Sequence, residues 1–403
     1  MKKILLTVLA AIFFTACGDI PVQPVQKFVD EIREDVCPDR RVNIFDVEFE
    51  RQGKTVTLKG QMNSKSGLDS LVARLEREGY TVANKIQLLP DAALDGKYYG
   101  VVNRSVANIR VEPSARSEMA TQAVLGVPLR IYKKQGSNYY VQTPDGYLGW
   151  IESGAFTAMT VKEFNTWRNS EKVIYLKDTG YIYKKASKDS DRIGDITATS
   201  ILKVIEPKNG FVKIAYPDGR TGYIERSACD HFEVWSFSVQ PKPRSIISLA
   251  KSYMGRPYLW GGTSTKMMDC SGFVRIVMML HGIYLPRDAS QQALIGKTVA
   301  EGKEEIAKLK PGDLLFFGRR RDDGSKRVTH VGIYIGNDRF IHESGTVFIQ
   351  SLNPEHEDYS AYRHNQFLHA KDVINHVDNY GVQHILSNSM FFRKEINRMA
   401  GGK

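Results

Sequence analysis

Cysteine is scarce in this chain, four residues in 403, which excludes a disulfide framework. Cys37 and Cys229 could pair in an oxidising compartment, but one bridge would not hold a chain of this length together. Long apolar runs are scarcer. The single one, "ILLTVLAAIFF" after Lys2 and Lys3, is too short to anchor a mature protein across a bilayer. With no later run of that kind, the remainder is expected to be exported and soluble. Clusters of basic residues interleaved with aromatics are missing too, which argues against a nucleic-acid partner; "GRRRDDGSKR" at 318–327 mixes both signs and reads as a solvated loop. No compact metal-ligand spacing occurs, so neither metal nor cofactor is implied.

What is present begins with the leader. "TACGD" follows the apolar run, and the whole resembles a bacterial lipoprotein signal over residues 1–17 in which Cys17 is lipidated and becomes the mature N-terminus. The alternative is an ordinary cleaved signal peptide. Without its first 16 residues the chain carries 54 basic against 45 acidic residues, net +9, a balance suited to an anionic envelope or cell wall.

Residues 18–95 read as a small α+β module: an amphipathic helix with Val25, Phe28, Val29, Ile32 and Val36 on one stripe, a hairpin turning at Gly53-Lys54, a second helix stopped by Gly79, and a strand "YTVANKIQLL". The order is similar to BON-type envelope domains. From about residue 97 short strands alternate with Gly, Asn, Asp and Pro, and "PDGYLGWIE" at 144–152 recurs as "PDGRTGYIE" at 217–225 with six of nine positions shared. Two tandem β-units follow, at 96–160 and 165–235. They resemble bacterial SH3-like domains, small barrels in which aromatics such as Trp150 fill the interior. "SFSVQPKPRS" at 236–245 reads as a proline-bearing linker, and residues 376–403 as a tail with no assigned role.

The chemistry lies between them, at 243–375. In "MMDCSGF" Cys270 precedes an apolar periodic run, so it falls in the first turn of a buried helix, where unpaired N–H groups and the helix dipole favour thiolate and offer donors to an oxyanion. A free cysteine is more often simply buried, so this alone decides nothing. His330 opens the alternating strand "HVGIYIG", and His342 stands in the next strand after a turn. Neighbouring hairpin strands put both imidazoles on one face, where His342 can accept from His330.

"GRPYLWGGTSTKMMDCSGFV", "LKPGDLLFFG", "THVGIYIGN" and "FIHESG" occur in that order, and together they resemble the NlpC-type cell-wall cysteine peptidases, a papain-like α+β family. The resemblance implies Cys270 as nucleophile, His330 as general base and His342 as the group orienting it. Tyr258 lies near the thiol, flanked in sequence by Asp269 and Ser271. Two SH3-like modules ahead of such a domain resemble the γ-D-glutamyl-L-diamino-acid endopeptidases, in which the first module walls the substrate site. By that resemblance Glu112 and Tyr147 reach the site, and Ser290 in "PRDASQQ" is a further candidate. Tyr147 gives way to Arg220 in the second copy, as expected of a residue that the barrel itself does not need. Asp269 beside the nucleophile is expected to demand a cation, which a free substrate amine would supply; the alternative is that it only caps the helix.

The multidomain fold class is therefore an α+β module, two SH3-like barrels and a papain-like peptidase domain. The expected protein is an envelope lipoprotein that cuts peptidoglycan-derived peptides. Its rivals are a non-catalytic wall-binding lipoprotein and a papain-like amidase or acyl-transfer enzyme cutting another bond.

Overall fold

The computed structural model describes residues 23–392, in two compact units divided at Leu89 and Pro90. The expected leader with Cys17 and the last residues of the tail lie outside the described residues.

In the first unit helix α1 (Gln23–Val36) buries Val25, Phe28 and Val29. Strands β1 (Phe45–Gln52) and β2 (Thr55–Met62) form a hairpin, and helix α2 (Lys65–Arg77) crosses over to β3 (Thr81–Leu88), parallel to β2. Ser64 caps α2 by accepting from the Gly67 N–H at 3.0 Å. Leu68, Leu71 and Leu75 of α2 meet Val56, Leu58 and Met62 of β2 in one core. Cys37 is a free thiol that donates to the Asn43 carbonyl, and Cys229 is free as well.

The second unit opens with strands β4 (Tyr99–Val102), β5 (Val106–Arg110), β6 (Met119–Val124), β7 (Pro128–Gln135), β8 (Asn138–Gln142), β9 (Leu148–Glu152) and β10 (Phe156–Met159). Their order, β10-β4-β7-β8-β9-β5-β6, runs between two free ends, so the expected barrel is an open sheet folded over its own core of Val102, Ile109, Leu129, Ile131 and Ile151. The β6 edge has another partner. Its Gln122 N–H donates to Thr263 Oγ1 at 3.1 Å and its side-chain oxygen accepts from the Thr263 N–H at 3.1 Å, so the C-terminal region covers the edge.

After α3 (Val161–Arg168), strands β11 (Lys172–Tyr175), β12 (Thr179–Tyr183), β13 (Arg192–Thr197), β14 (Ile201–Lys208), β15 (Phe211–Ala215), β16 (Thr221–Glu225) and β17 (Cys229–His231) repeat the arrangement, again as an open sheet. The shared nonapeptide lies at equivalent places, entering β9 and β16. The two sheets abut where the Ile201 N–H donates to the Leu125 carbonyl at 2.9 Å. Gly126, at φ +85°, makes the approach possible, because a Cβ there would stand 1.6 Å from the Ile201 oxygen.

The proline-bearing stretch is mostly helical. Helix α4 (Phe232–Ser238) precedes it and α5 (Pro243–Ser252) starts on Pro243, which leaves only a short connection between them. The C-terminal stretch is no loose tail up to residue 392: Ile385, Leu386, Phe391 and Phe392 pack on Phe232, Trp235 and Tyr284, with Phe392 stacked on Phe232 at 5.0 Å. Apolar residues scattered among polar ones gave no periodic signal there, and burial against α4 decides their role.

The peptidase region continues with the short pair β18 (Thr263–Ser264) and β19 (Met267–Met268), helix α6 (Cys270–Met279), β20 (Ile283–Tyr284) and α7 (Ala289–Gln292). Strands β21 (Lys297–Ala300), β22 (Leu314–Arg320), β23 (Lys326–Gly336), β24 (Arg339–Ser344) and β25 (Thr346–Ser351), helix α8 (Ala361–Gln366), β26 (Phe367–Asp372) and β27 (Gln383–His384) complete it. The six-stranded sheet is ordered β21-β26-β22-β23-β24-β25. Phe273 and Val277 of α6 pack on Val331, Ile333 and Ile341 on one face, while Phe317, Tyr334, Phe340 and Phe367 fill the other. Asn337 and Asp338, both at positive φ, turn β23 into β24 as a two-residue hairpin.

Gly126→Ala is expected to cost about 2 kcal/mol or more, since both the backbone conformation and the space are wrong for a side chain. A melting temperature equal to the wild type's would show that the seam between the two sheets is not tight.

Candidate active site

Asp269 caps α6, its Oδ1 accepting from the Gly272 N–H at 2.7 Å and its Oδ2 from the Gly261 N–H at 3.1 Å. Gly272 lets the helix start lie against the preceding loop, because a Cβ there would stand 2.0 Å from the Gly262 oxygen. Cys270 is thereby held as the first residue of the helix, 9 % exposed. Its thiol differs from the expectation of a lowered pKa. Burial first, and the Asp269 charge next, push it up to about 12, against hydrogen bonds from the Val331 and Ser271 backbone and the Arg287 charge. A group raised that far is a thiol at pH 7.

On the strand side His330 Nε2 lies 2.7 Å from His342 Nδ1. The register of β23 with β24 makes the two residues diagonal neighbours on one face. With His330 donating and His342 accepting, the lone pair of His330 stays on Nδ1. Burial holds His330 well below its usual range, and the Arg363 charge adds to the effect. His342 falls to about 3 for the same two reasons, which the Gln350 side chain opposes. Both imidazoles are neutral at pH 7.

A cleft of about 600 Å³ exposes Cys270 and His330 together with Tyr258, Asp269, Ser271 and Ser290. Tyr147 reaches the same cleft from the first SH3-like domain, its hydroxyl donating to Asp288 Oδ2 at 3.0 Å. Burial raises the Tyr258 hydroxyl, which therefore stays a donor. Glu112 is a correction: it is exposed and outside the cleft lining, while Glu118, six residues on, lines it and accepts from the Trp260 indole at 2.7 Å. The irregular segment between β5 and β6 sets which acid faces inward, and no periodic pattern reports that.

Asp269 lines the cleft and also caps the helix. Its cation is already in the protein: Arg287, 2 % exposed, places Nη2 at 2.5 Å from Asp269 Oδ2 and Nη1 at 3.2 Å from Oδ1. The same guanidinium donates to Ser271 Oγ at 2.9 Å and, through Nε, to Thr121 Oγ1 of β6 at 3.0 Å. Arg287 stands in "PRDASQQ" without any charge pattern to mark it. Two further groups were not anticipated. Glu343 is fully buried in the lining with neither carboxylate oxygen hydrogen-bonded among the described residues, and burial raises it to about 8. Arg363, from α8, lines the cleft near His330. Among the described residues no three His, Cys, Asp or Glu side chains converge as metal ligands.

Residues 255–368 match the NlpC/P60 family, residues 109–156 the bacterial dipeptidyl-peptidase SH3 domain, and residues 178–228 the bacterial SH3 domain. A γ-D-glutamyl-L-lysine dipeptidyl-peptidase of Bacillus cereus is 30 % identical over 234 residues, 56 % of this chain and 67 % of the relative. Dipeptidyl-peptidase 6 of Lysinibacillus sphaericus is 26 % identical over 276 residues, 64 % of this chain and 93 % of its own. The crystal structure of an NlpC/P60 family protein from Bacillus cereus shares the fold with a TM-score of 0.58 at 23 % identity, covering 68 % of this chain and 99 % of that one.

Since the resting pair is neutral thiol and neutral imidazole, alkylation of Cys270 by iodoacetamide is expected to climb roughly tenfold per pH unit from pH 7 to pH 9. Peptide mass spectrometry separates Cys270 from Cys37 and Cys229. A rate that has levelled off by neutral pH would mean a thiolate–imidazolium pair instead.

Proposed function

Because this chain belongs to the NlpC/P60 family as a cysteine peptidase carrying two bacterial SH3-like domains, we propose that it hydrolyses the amide between γ-D-glutamate and the diamino acid of peptidoglycan-derived peptides whose N-terminal L-alanine is free. Cys270 Sγ attacks the γ-carbonyl as its proton passes to His330. His330 returns that proton to the leaving amine, and a water activated by the same imidazole then cleaves the thioester. The Cys270 backbone N–H, unpaired in the first helical turn, and the Tyr258 hydroxyl are the donors for the oxyanion.

The observation that carries the reading is the wall supplied by the first SH3-like domain. Met119, Ala120 and Tyr147 line the cleft, and the Tyr147–Asp288 hydrogen bond ties that wall to α7 beside the nucleophile. A wall at this end suits an acyl part only two residues long, and the names of the relatives as dipeptidyl-peptidases agree. At this end Glu118, Asp269 and Asp288 face a single cation, Arg287. The local excess of negative charge supports an ammonium there, although Asp269 is no longer its sole counter-charge. Lipid on Cys17 would hold the enzyme to a bacterial membrane, facing the periplasm or the outside.

Purified enzyme given L-Ala-γ-D-Glu-L-Lys is expected to release L-Ala-γ-D-Glu, with Cys270→Ala inactive. N-acetylation of the alanine should lower kcat/KM by about 100-fold or more, as for a buried charge pair that cannot form. Equal rates on acetylated and free peptides would replace this reading by a general wall endopeptidase. Mass spectrometry of the mature N-terminus is expected to find an acylated Cys17; an unmodified residue or a cut elsewhere would leave an ordinary secreted enzyme.

A further inference from the structure

The cleft is polarised. Its acidic groups Glu118, Asp269 and Asp288 gather at the SH3-like wall, whereas Arg363 lies near His330, both against Phe317, with Arg327 also in the lining; the remaining carboxyl, Glu343, is raised by burial to about 8 and so is mostly uncharged at pH 7. Arg363 is 9 % exposed, and its guanidinium donates to Ser344 Oγ at 3.1 Å and to Gln366 Oε1 at 3.3 Å, both neutral acceptors. It has no carboxylate partner among the described residues. A buried cation without a counter-ion is costly to keep, and here it also lowers the basicity of both imidazoles. An anion arriving with the substrate would relieve that cost.

Which part of the substrate meets Arg363 follows from the chemistry. His330 must protonate the leaving amine, so groups clustered about His330 and away from Asp269 face the leaving residue. Resting on the cleavage site given under Proposed function, we infer that Arg363, with Arg327 at the rim, binds a carboxylate of the leaving diamino acid. Two carboxylates qualify. One sits on the carbon that bears the leaving nitrogen; the other ends the side chain of a diaminopimelate-type residue and is absent from lysine. The inference makes the cleft an orienting device, ammonium to the SH3-like wall and carboxylate to the His330 end, so that the scissile amide comes to rest over Cys270.

The test compares three tripeptides that share free L-Ala-γ-D-Glu and end in L-lysine, L-lysine carboxamide or meso-diaminopimelate. A loss of about tenfold or more in kcat/KM on amidation places the anion beside the leaving nitrogen, the size expected for a charge-assisted hydrogen bond. A similar advantage of diaminopimelate over lysine, with amidation neutral, places it on the side chain. In either case Arg363→Gln should bring the affected ratio to within about twofold of one, and Arg363→Lys should keep part of it. A merely structural Arg363 would lower all rates in proportion and leave the ratios alone. Three peptides cut within about twofold of one another by the wild type, or a proportional loss in Arg363→Gln, would overturn the inference and leave the cleavage site standing. If none of the three is cut, the cleavage site itself is wrong. The wild-type comparison decides even if neither variant folds.

Discussion

A buried guanidinium between two domains organises this active site. Arg287 neutralises Asp269, and Asp269 caps the helix that starts at Cys270, so the ion pair and the placement of Cys270 are one arrangement. Its remaining bonds reach Ser271 beside the thiol and Thr121 on the sheet edge of the first SH3-like domain. Removing one partner of such a pair typically costs about 3–5 kcal/mol, because the other charge is left buried and alone. The cap, the wall and the placement of Cys270 are therefore expected to fail together. The open sheet leaves β6 an edge on which Gln122 meets Thr263.

Burial has a price in reactivity. The packing that positions Cys270 on the Val331 side of the sheet also removes the water that would stabilise a thiolate, and the neighbouring carboxylate acts in the same direction. His330 and His342 respond in the opposite sense, since burial disfavours an imidazolium. The outcome is a neutral thiol and neutral imidazoles in the free protein. The hydrogen bond between the two imidazoles then matters as an orienting contact: with His330 donating, its lone pair is on Nδ1.

Much of this was legible in the residues themselves. The helix from Cys270 to Met279 follows from the apolar period after "DC", and the Asn337-Asp338 turn with alternating strands on either side puts His330 and His342 on one face. The tandem repeat singled out Tyr147 by its replacement in the second copy, where Arg220 instead bonds the Asn103 carbonyl. Local rules suffice for such features, because capping, turn geometry and strand alternation act over a few residues.

By itself, then, the sequence determined the order of the domains, the helix that carries Cys270 and the shared face of the two histidines. Tertiary structure alone decided that Arg287 pairs with Asp269, that Glu118 rather than Glu112 lines the cleft, and that Arg363 stands near His330 with no carboxylate partner among the described residues. It also decided that the thiol is raised instead of lowered. The reason is physical: charge pairing and desolvation depend on what lies within a few ångströms in space, and here those neighbours are 18 residues away for Asp269 and Arg287 and 166 for Thr121 and Arg287.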